Sequence, residues 1–157
     1  MIRVQRDDFD PGAELAALVA GHRDIGGVVS FVGLVRDMAE GAPITAMTLE
    51  HYPKMTEAKL AEIEVEARRR WPLQASLIVH RYGRLEPGDR IVLVIAASAH
   101  RQAAFEAAAF LVDWLKTKAP FWKLEETRDG AHWVEARTTD DDAAKRWQSI
   151  WLRAATT

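Results

Sequence analysis

The stretch from Ser98 to Lys116 constrains this chain more than any other. It reads SAHRQAAFEAAAFLVDWLK, and at 100° per residue its polar positions Gln102, Glu106 and Asp113 fall on one narrow stripe. Nearly everything else on it is Ala, Phe, Leu, Val or Trp. A helix that is apolar over most of its circumference has to be covered on several sides. In a chain of 157 residues, that calls for a core on one side and suits a subunit interface on another. Ser98 is placed to cap this helix, which ends near Lys116.

Both ends of the helix carry cations. At the C-terminal end, VDWLKTKAPFWK (112–123) sets Lys116, Lys118 and Lys123 among Trp114, Phe121 and Trp122. Lysines there complement the helix dipole. Lysines at the end of a buried helix, beside aromatic rings and a proline, equally suit a pocket for something anionic or acyl-like. At the other end, His100 and Arg101 occupy the first turn, where free N–H groups and the dipole are already positive. Cations there oppose the dipole, which makes sense where an anion such as phosphate is held; the plainer reading is a solvated first turn. His100 and Lys116 are sixteen residues apart, so about 24 Å separates their backbones at 1.5 Å per residue. One small molecule does not span that. Either there are two sites, or two copies of the chain bring opposite ends together, and the apolar helix favours a homodimer.

The other elements follow from period and punctuation. Ile2 to Gln5 reads as a short strand, and Asp10-Pro11 opens a short helix with Leu15, Leu18 and Val19 on its apolar side. VVSFVGLVR (28–36) is a buried strand in which Gly33 marks a bulge or close approach. Arg36 ends it, at a place that suits bidentate phosphate binding. DMAEGAP (37–43) reads as a loop, and Ile44 to His51 as a strand. Pro53 opens an amphipathic helix that carries Leu60, Ile63, Ala67 and Trp71 and is stopped by Pro72. Arg68-Arg69-Arg70 on it reads as helix-end charge balanced by Glu62, Glu64 and Glu66. Ala75 to Tyr82 and Arg90 to Ser98 form an antiparallel pair turned by Pro87-Gly88-Asp89. Trp122 to Thr127 and His132 to Arg137 flank Asp129-Gly130, a hairpin signal. A last helix opens at Thr139 to Asp142 and carries Trp147, Ile150 and Trp151. Strands and helices mix without βαβ alternation, so the expected class is α+β: mostly antiparallel strands, a long buried central helix, and a C-terminal hairpin plus helix, in one domain over 1–157.

Several chemistries drop out. With no cysteine there is no thiolate nucleophile and no cysteine metal site, and the scattered His22, His51, His80 and His132 lack ligand spacing, so no metal and no cofactor is expected. Ser30 and Ser98 lack a nucleophile-elbow setting. A net charge of −2 gives no field for nucleic acid. No run approaches a membrane span, and the N-terminus lacks a signal-peptide core, so a cytoplasmic protein is expected.

TLEHYPKMTE (48–57), SAHR (98–101), LKTKAPFWK (115–123) and WVEAR (133–137), in register over about 26–147, closely resemble the large, catalytic subunit of molybdopterin synthase, the MoaE family. The resemblance implies an α/β hammerhead-like fold. It implies a sulfurtransferase of molybdenum cofactor biosynthesis that converts cyclic pyranopterin monophosphate (precursor Z) to molybdopterin. The sulfur arrives as a thiocarboxylate on the C-terminal glycine of a small ubiquitin-like subunit, within a heterotetramer built on a central homodimer of large subunits. Carried over by motif, Lys116 and Lys123 are the catalytic lysines. His100, Arg101, Arg36, Leu34 and Val35 contact substrate, Leu124 and Glu125 continue the Lys123 segment, and Phe31 and Arg137 line the pocket. Val112 stands where a methionine can occur, and Lys118 where an arginine can.

The chemistry suits these residues, because a thiocarboxylate and a phosphate are both anions and need cations to meet. Two readings of other classes remain beside it. One is a non-catalytic scaffold for the tail of a ubiquitin-like protein, which would need no phosphate site. The other is a Schiff-base enzyme on Lys116, which borohydride trapping would reveal. The chain ends RAATT, without Gly-Gly, so the sulfur donor that the resemblance implies is expected to be a separate polypeptide.

Overall fold

The computed structural model describes residues 1–39, 41–135 and 141–148. In chain order the elements are β1 (Ile2–Gln5), α1 (Pro11–Val19), β2 (Gly27–Leu34), β3 (Met38–Ala39), β4 (Ala42–Pro43), β5 (Ala46–His51), α2 (Pro53–Arg70), β6 (Leu73–Arg81), β7 (Gly83–Leu85), β8 (Arg90–Ser98), α3 (Arg101–Lys118), β9 (Phe121–Thr127) and β10 (Gly130–Val134). A further helix, α4, covers 141–148. The class is α+β as expected, with antiparallel pairing throughout except for the parallel pair of β1 and β6.

Two four-stranded sheets carry the fold, ordered β1-β6-β8-β2 and β10-β9-β5-β7. The two central strands of the first sheet, β6 and β8, are apolar at successive positions because helices cover both faces. Ile78 and Val94 face α2, α3 and α4, packing with Leu60, Ile63, Phe110, Leu111, Leu115 and Trp147. Leu77, Val79, Leu93 and Ile95 face α1 and close over Phe9 with Leu15 and Leu18. Burying Phe110 or Leu111 of α3 contributes roughly 1.5–3 kcal/mol each. A smaller cluster of Val35, Met47, Leu49 and Leu85 joins the second sheet to the rim of the first.

The polar stripe of α3 has a structural use. Glu106 accepts a hydrogen bond from Trp71 Nε1 at 2.8 Å, and Asp113 accepts one from Trp147 Nε1 at 2.7 Å. The stripe therefore orients the two indoles that seal the core against α2 and α4. Among the described residues no helix is long and apolar enough to cross a membrane.

The structure departs from the sequence reading in four local features. Segment 37–43 contains a short ribbon, with Met38 paired to Pro43 and Ala39 to Ala42, where a loop was expected. Gly83–Leu85 forms a strand of its own, which leaves the β6–β8 connection to pair with β5 in the second sheet. Ser98 does not cap α3. Its hydroxyl donates to the Pro72 carbonyl at 2.8 Å, and His100 holds the N-cap position without a side-chain cap. The helix also continues to Lys118 instead of ending near Lys116. Gly33 does mark a register shift, between Gly33 and Leu34. Of the last helix, Trp147 is buried, while Ile150 and Trp151 lie outside the described residues.

Candidate active site

A cavity of about 670 Å³ lies between the rim of the first sheet, the end of α3 and the inner face of the second sheet. Lys116 reaches it from the last turn of α3, next to buried Leu115. Lys123 reaches it from β9, where alternation puts Phe121, Lys123 and Glu125 on the cavity side. Phe31, Leu34, Val35 and Arg36 enter from β2 and the residues after it. The bulge at Gly33 helps to set this wall, since a Cβ on Gly33 would lie 2.7 Å from Val92 Cγ1. The sequence-predicted residues Lys116, Lys123, Arg36, Glu125, Phe31, Leu34 and Val35 thus share one space, although they come from three elements.

Charge is unevenly distributed within it. Lys123 Nζ lies 3.0 Å from Glu125 Oε1. The Glu125 carboxylate is only 5% exposed, and its other oxygen is 3.9 Å from His132 Nε2. Lys116 and Arg36 make no ion pair among the described residues, so three cations face two carboxylates, Glu125 and Glu135, and of the three only Lys123 is paired. Apolar walls around them weaken screening and strengthen their pull on an anion.

Leu124 faces the other way, opposite Trp133 and Thr48, and does not line the cavity. His100 and Arg101 do not line it either. They stand exposed at the opposite end of α3, where Gly26 and Gly27 pass close beneath them. A Cβ on Gly26 would lie 2.1 Å from the Ala99 carbonyl oxygen, and one on Gly27 would lie 3.3 Å from Arg101 Cα. Phe105, one turn further on, is 62% exposed, although the rest of the apolar surface of α3 is largely covered. Arg137 lies outside the described residues.

His80 was missed as a site residue. It lines the cavity from β6 with its ring stacked on Phe121, centroids 3.8 Å apart and 15° between planes. Its Nδ1 lies 2.8 Å from the Arg81 carbonyl oxygen. A carbonyl only accepts, so Nδ1 carries the proton. Burial pushes the His80 pKa down to about 4, helped slightly by nearby His51 and opposed by the bond to Arg81. Strand parity was the available signal, since His80 shares the face of Ile78, which turns toward α3. His51 lies 5.8 Å from the Phe121 ring, and burial lowers its pKa as well, against the pull of Glu57. Among the described residues, no three of His, Asp and Glu converge in a way that would hold a metal ion.

The family model for MoaE protein matches residues 4–118. The chain belongs to the MoaE protein family. It is 58% identical over 147 residues to the molybdopterin synthase catalytic subunit of Pseudomonas aeruginosa, a match covering 94% of this chain and 98% of that one. Two MoaE-type structures resemble it in three dimensions. The molybdopterin biosynthesis MoaE protein from Burkholderia ambifaria MC40-6 superposes with a TM-score of 0.81 at 53% identity, covering 94% of this chain and 97% of that one. A molybdopterin synthase structure from Staphylococcus aureus superposes with a TM-score of 0.79 at 31% identity, covering 85% and 96%. The MoaE resemblance seen in four motifs therefore extends over most of the chain and its fold.

Proposed function

We propose that this chain is the catalytic subunit of a molybdopterin synthase and that the cavity beside Lys116 and Lys123 is where sulfur is transferred. The observation that carries this reading is the meeting of these two lysines, from the end of α3 and from β9, in one largely apolar cavity. The substrate is cyclic pyranopterin monophosphate. The sulfur donor is the C-terminal thiocarboxylate of a small ubiquitin-like subunit, which binds to form a heterotetramer around a dimer of this chain. The protein works in the cytoplasm as a single domain over 1–157.

Lys116 and Lys123 draw in the thiocarboxylate and stabilise the oxyanion that forms when its carbonyl is attacked. The thiocarboxylate sulfur bonds to a side-chain carbon of the pterin and displaces an oxygen leaving group, giving a thioester. Water then attacks the thioester carbonyl, the bond between sulfur and the tail breaks, and the tail leaves as a carboxylate with the sulfur kept on the pterin. Lys116, without a carboxylate partner among the described residues, is the stronger electrostatic contributor and is also placed for acid–base work. Glu125 holds Lys123 in position. Arg36 anchors phosphate from the rim, with Phe31, Leu34 and Val35 as the apolar wall and Leu124 supporting β9 from behind. For Arg137 a pocket role rests on the motif resemblance alone.

His100 and Arg101 belong to the pocket of the second copy. Fifteen residues of unbroken helix separate Arg101 from Lys116, about 22 Å at 1.5 Å per residue. The exposed Phe105 beside them supports a contact surface at that end. Each pocket then takes its lysines from one subunit and its His-Arg pair from the other.

The test is to mix the chain with the thiocarboxylated small subunit and precursor Z and to assay molybdopterin. Dithiolene product that disappears with Lys116→Ala supports the reading. Absence of product from the unsubstituted chain, or undiminished product from Lys116→Ala, overturns it.

A further inference from the structure

We propose that His80 Nε2 is a hydrogen-bond acceptor in the cavity wall, taking an N–H from the bound ligand. The other polar side chains that line the cavity are all charged. Arg36, Lys116 and Lys123 only donate, Glu125 is committed to Lys123, and Glu135 is a second carboxylate. His80 is the one neutral hydrogen-bonding side chain among the described lining residues. The bond from Nδ1 to the Arg81 carbonyl leaves the lone pair on Nε2. Stacking on Phe121 fixes the ring plane, and pairing of His80 with Val92 holds its backbone within the first sheet. His51 Nδ1 is a buried, unpartnered ring nitrogen; His80 Nε2 is not among the sealed atoms and makes no hydrogen bond within the described chain. It is therefore an unsealed, unpartnered atom on a residue that lines the cavity.

An acceptor here does what the cations cannot. Arg36 and Lys116 attract any anion, whereas a neutral lone pair on a rigid ring rewards only a ligand with a donor in the right place. A ligand without one leaves the nitrogen unpaired and loses affinity. The ligand chemistry is a planar or amide N–H. It comes either from the pyrimidine-type ring of the pterin or from a backbone amide of the partner's extended tail. The inference rests on the cavity being the reaction pocket.

The test combines two substitutions with a measurement on the unsubstituted protein. His80→Phe keeps a ring against Phe121 and removes the acceptor. His80→Gln restores an amide oxygen near the position of Nε2. With the assembled complex, His80→Phe raises either the KM for the pterin phosphate or the Kd for the small subunit about tenfold. Its kcat stays within about threefold, and Gln restores most of the loss. A change confined to the pterin KM assigns the donor to the pterin; one confined to partner affinity assigns it to the tail. In the unsubstituted protein with ¹⁵N-labelled histidine, the unprotonated Nε2 resonance of His80 moves to lower frequency when precursor Z or the small subunit is added. Wild-type affinity for both ligands in His80→Phe, no rescue by Gln, or an Nε2 signal unmoved by either ligand overturns the proposal. Should Lys116→Ala leave turnover intact, it is the cavity reading that fails; if Lys116→Ala abolishes turnover while Nε2 stays silent, only the role of His80 fails.

Discussion

Lys123 Nζ lies 3.0 Å from the nearly buried carboxylate of Glu125, two residues further along the same strand face. Lys116, across the cavity, has no such partner among the described residues. Two lysines that line one cavity thus differ in their carboxylate pairing, and substitutions should separate them.

Glu125→Gln removes the counter-charge of Lys123 and keeps its shape. Because the Lys123 side chain is 36% exposed, water and salt replace part of the interaction. The expected stability loss is about 1 kcal/mol by urea denaturation. Turnover should fall more than stability, on the order of tenfold, because Lys123 loses its fixed position. A loss of activity that only tracks unfolding would contradict this.

Lys116→Ala should reduce single-turnover sulfur transfer by on the order of 10²–10³-fold. Its side chain is exposed, so the melting temperature should hardly change. Lys116→Arg should recover binding of the small subunit better than it recovers turnover, since guanidinium keeps the charge and cannot release a proton.

Two inactive variants should restore one another. If each pocket takes Lys116 from one subunit and Arg101 from the other, mixing Lys116→Ala with Arg101→Ala under conditions of subunit exchange should recover about a quarter of wild-type activity. Half the dimers then contain one intact pocket each. No recovery after verified exchange would mean that both residues act within one subunit or at separate sites.

The His80 pKa makes stability depend on pH. The group titrates near 6.5 in the unfolded chain and near 4 in the folded one, so below pH 6.5 the unfolded state binds the extra proton. The stabilisation is complete above pH 6.5 and is lost as pH falls through the window down to about 4. Over the whole window it amounts to roughly 3 kcal/mol. Unfolding free energies measured at pH 7.5 and 4.5 should differ less in His80→Gln than in the unsubstituted chain. Equal slopes would contradict it.

Gly26→Ala should cost about 2–4 kcal/mol, because its Cβ would stand 2.1 Å from a backbone oxygen at Ala99 and neither strand nor helix can yield cheaply. Thermal denaturation measures this. A Gly26→Ala chain as stable as the original would contradict the close packing at the start of α3.

The long elements were legible because their patterns repeat. The helical period of Leu60, Ile63 and Ala67 and the apolar run of Arg90–Ser98 each involve enough residues to exclude other structures. The two-residue strands β3 and β4 and the three-residue β7 are too short to show a period of two. Ser98 was read as a cap from local order alone, whereas its hydroxyl is taken by Pro72, twenty-six residues earlier in the chain. The lysines stood out because a buried helix has to stop somewhere, and cations at its end are conspicuous. The link between Lys123 and Glu125 was available from strand alternation. His80 and Phe121 were not connected, because forty-one residues separate two rings that only the meeting of both sheets stacks face to face.

α3 runs through eighteen residues without a break, and its two ends carry the two groups of cations. In the shared-pocket arrangement proposed above, its residue count is part of the site's specification. Inserting one residue between Arg101 and Lys116 would turn one end by about 100° relative to the other and lengthen the helix by about 1.5 Å. Loops elsewhere in the chain can grow without moving a lysine. This helix cannot change length without misaiming Lys116 or the His100–Arg101 corner, and in a dimer that shares both ends a single insertion would damage both pockets at once.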